Sequence, residues 1–126
     1  MAKGVILIDD DLTQEKIFEH CINKSGDLWQ FHYFKDDKGL IEFVSKLGLY
    51  FNKLIIFCDY YLPTMTGIQL LEKIIRLQVT QEIKVKLFLI SSEFEQEQID
   101  FGQQNDVTLL KKPIQNKDIQ QILHQN

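Results

Sequence analysis

Leu54-Ile55-Ile56-Phe57-Cys58-Asp59-Tyr60-Tyr61-Leu62-Pro63-Thr64-Met65-Thr66-Gly67 is the stretch that decides the fold. A continuous apolar run enters an aspartate and passes into a loop that carries a proline and a glycine. Uniform hydrophobicity over a short run bounded by turn residues marks a strand buried on both faces, as in a parallel sheet. Asp59 then stands at the carboxyl edge of that strand, where open α/β sheets place their ligand sites. A carboxylate in that position has three uses: metal ligand, nucleophile, or cap of the next turn. Its neighbours decide between them.

Working outward, Gly4 to Ile8 is a β-branched run that ends in Asp9-Asp10-Asp11. Ile17, Phe18, Cys21 and Ile22 follow at helical spacing, with Ser25-Gly26 as a stop. Leu28 to Phe34 reads as an aromatic-rich strand, Trp29, Phe31 and Tyr33 alternating with Gln30 and His32. Asp36 and Asp37 open a second helix that turns Leu40, Phe43, Val44 and Leu47 inward and closes at Gly48. Beyond the central strand, Thr66 and Gly67 start a helix with Ile68, Leu71, Ile74 and Ile75 on one face. Lys84 to Ile90 is a fourth strand, ending at Ser91-Ser92. Residues 93–104 form a polar helix with Phe94, Ile99 and Phe101 to bury. Val107 to Leu110 is a fifth strand ending at Lys111-Lys112-Pro113, and Asn116 reads as the N-cap of a last helix with Ile119, Ile122 and Leu123.

Strands alternating with helices imply right-handed βαβ units and a parallel sheet covered on both faces. The expected fold is α/β: a doubly wound five-stranded parallel sheet in the order 2-1-3-4-5 with five flanking helices. A length of 126 residues suits one domain, expected over residues 1–126 with no output domain attached. The net charge of −4 offers no basic excess for direct nucleic-acid binding. The only early apolar stretch, Gly4 to Ile8, is too short for a signal peptide core or a membrane insertion. Cys21 and Cys58 lack metal-ligand spacing and lie in apolar segments, so they read as buried reduced thiols of a cytoplasmic protein. His20, His32 and His124 are scattered and share no metal spacing.

The strand ends converge. Asp9, Asp10 and Asp11 come from the first strand, Asp59 from the third, Ser91 or Ser92 from the fourth, and Lys111 or Lys112 from the fifth. Carboxylates crowded at one edge raise each other's pKa unless a cation sits among them. Hard oxygen ligands in small number suit Mg²⁺ better than a transition metal. A lysine and a hydroxyl on the far side complete a cradle for an oxyanion, which favours phosphoryl transfer to a carboxylate nucleophile.

Asp-Asp after the first strand, Asp with a Pro-x-x-x-Gly loop after the third, Ser after the fourth and Lys-Pro after the fifth carry a family pattern. The chain resembles, from end to end, the receiver domain of two-component response regulators, of the chemotaxis-regulator kind. The resemblance implies Asp59 as phosphoacceptor and Asp9 and Asp10 as the acidic pair that holds Mg²⁺, with Asp11 falling at the helix start. It implies that Tyr61 lends a backbone carbonyl to the metal, that Ser91 is the switch hydroxyl, and that Lys112 pairs with the phosphoryl group. It also implies a Lys112–Pro113 bond that is often cis. One position departs from the family: Leu109 stands where an aromatic ring usually reports phosphorylation to the output surface.

The function implied is a phosphorylation-dependent switch, not an enzyme beyond assisting its own phosphorylation and dephosphorylation. A histidine kinase or histidine phosphotransfer protein is the implied donor, and output runs through protein contact or onward phosphotransfer. Tyr61 and Glu93, flanking the cleft, are expected to slow water's access to the acyl phosphate. Three readings compete. A haloacid-dehalogenase-type phosphohydrolase wants a second aspartate two residues after the nucleophile, where Tyr61 stands. A flavodoxin-like carrier would bind phosphate after the first strand, where three aspartates repel it. A degenerate receiver acting as a constitutive protein-binding module is disfavoured by the complete set of polar residues and favoured only by Leu109.

Overall fold

A computed structural model describes residues 2–26 and 28–126. The strands are β1 (Ala2–Ile8), β2 (Trp29–Phe34), β3 (Phe51–Asp59), β4 (Lys84–Ser91) and β5 (Val107–Lys111). The helices are α1 (Leu12–Lys24), α2 (Leu40–Leu47), α3 (Gly67–Ile75), α4 (Gln96–Asn105) and α5 (Asn116–Gln125). The sheet runs β2-β1-β3-β4-β5, every pairing parallel, in the expected doubly wound order.

The uniformly apolar runs are the reason for this arrangement. Val5 to Ile8 and Leu54 to Cys58 are fully buried, because alternate side chains enter two separate cores. Ile6, Ile8, Leu54, Ile56 and Cys58 face one core with α2, α3 and α4. Val5, Leu7, Ile55 and Phe57 face the other, closed by Phe18, Cys21 and Ile22 of α1 and Ile119 and Leu123 of α5. Leu40 and Val44 of α2 are buried as expected; the side chain of Leu47 lies outside those described.

Helix starts follow local chemistry. Asp11 caps α1 by accepting from the Thr13 N–H, and Thr66 and Gln69 form a reciprocal capping box at α3. Asn116 is not the N-cap of α5; Gln115 precedes the helix, its N–H donating to Asp118. The side-chain amide oxygen Oδ1 of Asn116 instead accepts from the Cys21 thiol, which ties α5 to α1. The polar fourth helix begins at Gln96 rather than Glu93 and ends on Asp106, at φ 56°. Short 3₁₀ turns at Gly48–Tyr50 and Gln78–Gln81 were not expected from the sequence.

Strand β2 also departs from the simple alternation. His32 is half-buried: its ring packs 4.7 Å from that of Phe43 and 5.9 Å from that of Phe51, and its Nε2 is buried without a hydrogen-bond partner. Burial lowers its pKa below the ordinary histidine value. The unfolded chain therefore binds the proton more readily. Stability is fully present above about pH 6.5 and is lost as pH falls through that value towards the lowered folded pKa. His32→Phe keeps a ring in the same box without the titration. Thermal melts across mildly acid pH should show its Tm rising relative to wild type as pH falls; parallel curves would place the acid sensitivity elsewhere.

Candidate functional site

The parallel register alone gathers the polar strand ends. Ile8 pairs with Cys58, so Asp9 lies beside Asp59, at the strand spacing of about 4.8 Å. Asp59 pairs with Ile90, which sets Ser91 one step further along β4, and Ser91 pairs with Lys111, which brings Lys112 to the same edge. Backbone hydrogen bonds continue the sheet past its ends: Tyr60 N–H to the Ile90 carbonyl at 2.8 Å, and Lys112 N–H to the Ser91 carbonyl at 2.9 Å. The Lys112–Pro113 peptide bond is cis.

The side chains divide by exposure. Asp9, Asp59 and Ser91 are at most 2% exposed, whereas Asp10 and Ser92 face solvent. The ammonium of Lys112 lies 3.1 Å from Asp59 Oδ2, whereas Lys111 is exposed. The other carboxylate oxygen, Asp59 Oδ1, accepts a long hydrogen bond of 3.4 Å from the Tyr61 N–H. The Tyr61 ring is two-thirds exposed and rests edge-on against Tyr60, so only its backbone turns to the site.

Asp9, Asp10 and Asp59 each offer a carboxylate oxygen, and these oxygens lie within 4.8 Å of one another. Burial pushes Asp9 up to about 6; the Asp11 N–H and Lys112 work against this, while the carboxylates of Asp59 and Asp10 add to it. A buried carboxylate held above its ordinary range by burial and by neighbours of its own sign is a group that a cation would relieve. All three donors are hard oxygens, and Asp10 leaves the cluster open to solvent. Such a set fits a Mg²⁺-sized dication that keeps waters in its shell.

Two contributors escaped the sequence reading. The Tyr33 hydroxyl donates to the backbone carbonyl of Asp9, so a residue read as core also anchors the acidic edge. The sequence marks Gly67 as a helix start; in the structure a Cβ there would lie 2.5 Å from the Asp59 carbonyl oxygen and 2.8 Å from Leu89. Its missing side chain lets α3 begin directly under Asp59, with its N–H donating to the Tyr60 carbonyl at 2.7 Å. A glycine after a turn gives no hint of this contact; only the packing shows it. Leu109 is half-buried against the core beneath α4, near Gly102.

Among curated proteins no sequence relative is found. Solved structures share the fold at low identity. The chemotaxis response regulator CheY4 of Vibrio cholerae is 18% identical with a TM-score of 0.77, over 99% of this chain and 98% of that one. A CheY-like receiver domain protein of Methanospirillum hungatei is 18% identical with a TM-score of 0.79, over 99% and 93%. A Mn²⁺-bound form of response regulator Rcp1 is 18% identical with a TM-score of 0.73, over 98% and 90%. The family model described as the response regulator receiver domain matches residues 5–124, and the chain belongs to that family.

Proposed function

We propose that this receiver domain is a phosphorylation-dependent switch of a two-component system, with Asp59 as its phosphoacceptor. The observation that carries the reading is the pairing of a buried Asp59 with the Lys112 ammonium, 3.1 Å away, beside the acidic pair Asp9 and Asp10. The donor is a phosphohistidine of a kinase or phosphotransfer protein. An Asp59 carboxylate oxygen attacks phosphorus, the phosphorus–nitrogen bond breaks, and its electron pair stays with the donor imidazole. Asp59 is left as an acyl phosphate. Lys112 and the Ser91 hydroxyl would meet the new phosphoryl oxygens. Asp9, Asp10, Asp59 and the Tyr61 carbonyl would hold Mg²⁺, which neutralises charge between carboxylate and phosphoryl oxygens when bound. The Mn²⁺-bound relative supports a divalent ion in this fold.

The acyl phosphate then favours a conformation that binds an output protein or passes the group onward. The domain assists only its own phosphorylation and hydrolysis. Leu109 favours one other reading, a receiver that binds its partner without phosphate, since an aliphatic side chain has no ring hydroxyl to re-bond.

Incubation with acetyl phosphate and Mg²⁺ should give one phosphoryl adduct by intact mass, absent with EDTA and absent in Asp59→Asn. No adduct, even with a set of histidine kinases, would leave the constitutive binding module. Asp9 supplies a second test. Without a cation its charged form costs stability above about pH 6, and that stability returns as pH falls through that value. Mg²⁺ should therefore raise Tm more at neutral pH than at mildly acid pH, because protons compete for Asp9. An equal gain at both would remove Asp9 from the metal site. Finally, Tyr61→Ala should shorten the acyl phosphate lifetime severalfold if the ring at the rim of the cleft hinders water; an unchanged decay rate refutes that role.

A further inference from the structure

The edge of the sheet opposite Asp59 carries a row of lysines. Lys3 of β1 pairs in register with Lys53 of β3, and Lys53 with Lys84 of β4. Lys86 lies two residues further along β4. All four share the parity of Val5, Ile55 and Phe88, so they point to the face covered by α1 and α5. Like charges directly opposite one another on neighbouring strands oppose pairing. Here three stand side by side in a chain whose net charge is −4. None of the four is paired with an Asp or Glu carboxylate among the described residues. Burial first, and then the like charges of Lys84, Lys3 and Lys86, lower the pKa of Lys53.

Two of these ammonium groups already converge on one oxygen. Lys3 Nζ and Lys53 Nζ lie 3.3 Å and 3.0 Å from the backbone oxygen of Asn126, at the end of α5. Lys84 and Lys86 are exposed. Beside the row, Lys3 lies 5.2 Å from the centre of the Trp29 ring. There Ala2, Leu28, Trp29 and Gln30 line a recess of about 380 Å³, and Leu28 is 93% exposed.

We infer that this edge is a docking surface for an acidic protein segment: carboxylates along the segment meet the lysine row, and an apolar side chain enters the recess at Leu28 and Trp29. Charge complementarity argues for the partner's sign, and geometry argues for its class. A single compact anion would use neither the spread of charge over three strands nor the apolar recess. The surface lies at the far end of the strands from Asp59, so the inference does not depend on the phosphoacceptor reading.

The test uses a fluorescein-labelled peptide of alternating glutamate and leucine, followed by anisotropy, with Trp29 emission as a local reporter because it is the chain's 1 tryptophan. The expected result is binding that shifts Trp29 emission, weakens with added salt and falls about tenfold or more in Lys53→Gln/Lys84→Gln. Lys84→Gln/Lys86→Gln, at two exposed positions, gives the same comparison if Lys53 proves necessary for folding. No binding, binding that leaves Trp29 unchanged, or equal affinity in the lysine variants would overturn the inference. So would tighter binding of inorganic tripolyphosphate or duplex DNA than of the peptide, which would make the row a phosphate site instead.

Discussion

Two carboxylates, Asp9 and Asp59, are held side by side with almost no access to water, and the upper edge of the molecule is built around tolerating that arrangement. At Asp9, burial above all and the neighbouring carboxylates of Asp59 and Asp10 favour the protonated state. Both carboxylates are met by donors. Lys112 faces Asp59, the Asp11 N–H faces Asp9, and the Tyr61 N–H approaches Asp59 from the other side. Asp9 nevertheless stays high, at about 6, so compensation at that residue is incomplete. That incompleteness is what gives the cluster its appetite for a cation.

The sheet supplies the rigidity that makes such crowding sustainable. Adjacent strands in register cannot slip by one residue without turning Ile6, Ile8, Ile56 and Cys58 out of one core and into the other. The carboxylates cannot drift apart without breaking the same register. The loops add little freedom, since Tyr60 and Lys112 continue the backbone pairing beyond the strand ends. Gly67 closes the arrangement from below, where α3 meets the Asp59 carbonyl at a distance no other residue permits.

Much of this was legible beforehand, and for identifiable reasons. The runs at Val5–Ile8 and Leu54–Cys58 are apolar without alternation, which only a two-faced sheet explains, and each ends in aspartate. Strand order follows from short connections and handedness, so the meeting of Asp9, Asp10, Asp59, Ser91 and Lys112 at one edge could be read from the chain. Contacts that depend on three-dimensional proximity could not. Asn116 looks like a cap by type, but Cys21, 95 residues away in sequence, claims its side chain. His32 looks like the polar half of an alternating strand, but on β2 both faces are partly covered and Phe43 and Phe51 enclose it. Tyr33 and Gly67 act through single atoms, a hydroxyl and a missing Cβ, for which residue type alone carries no signal.

The layers around the sheet are unequal, and the inequality has a thermodynamic consequence. Helices α1 and α3 bury clusters of aliphatic and aromatic side chains, whereas α4 commits only Gln98, Phe101 and Gly102 to the interior. It has a glutamate at its N-cap and ends on a left-handed aspartate. A helix held by so few apolar side chains is expected to open at a smaller free energy than α3, which buries five residues, so its amides should exchange through local rather than global unfolding. This weakly held helix lies against β5, beside the half-buried Leu109, with β4 between it and the strand that ends in Asp59.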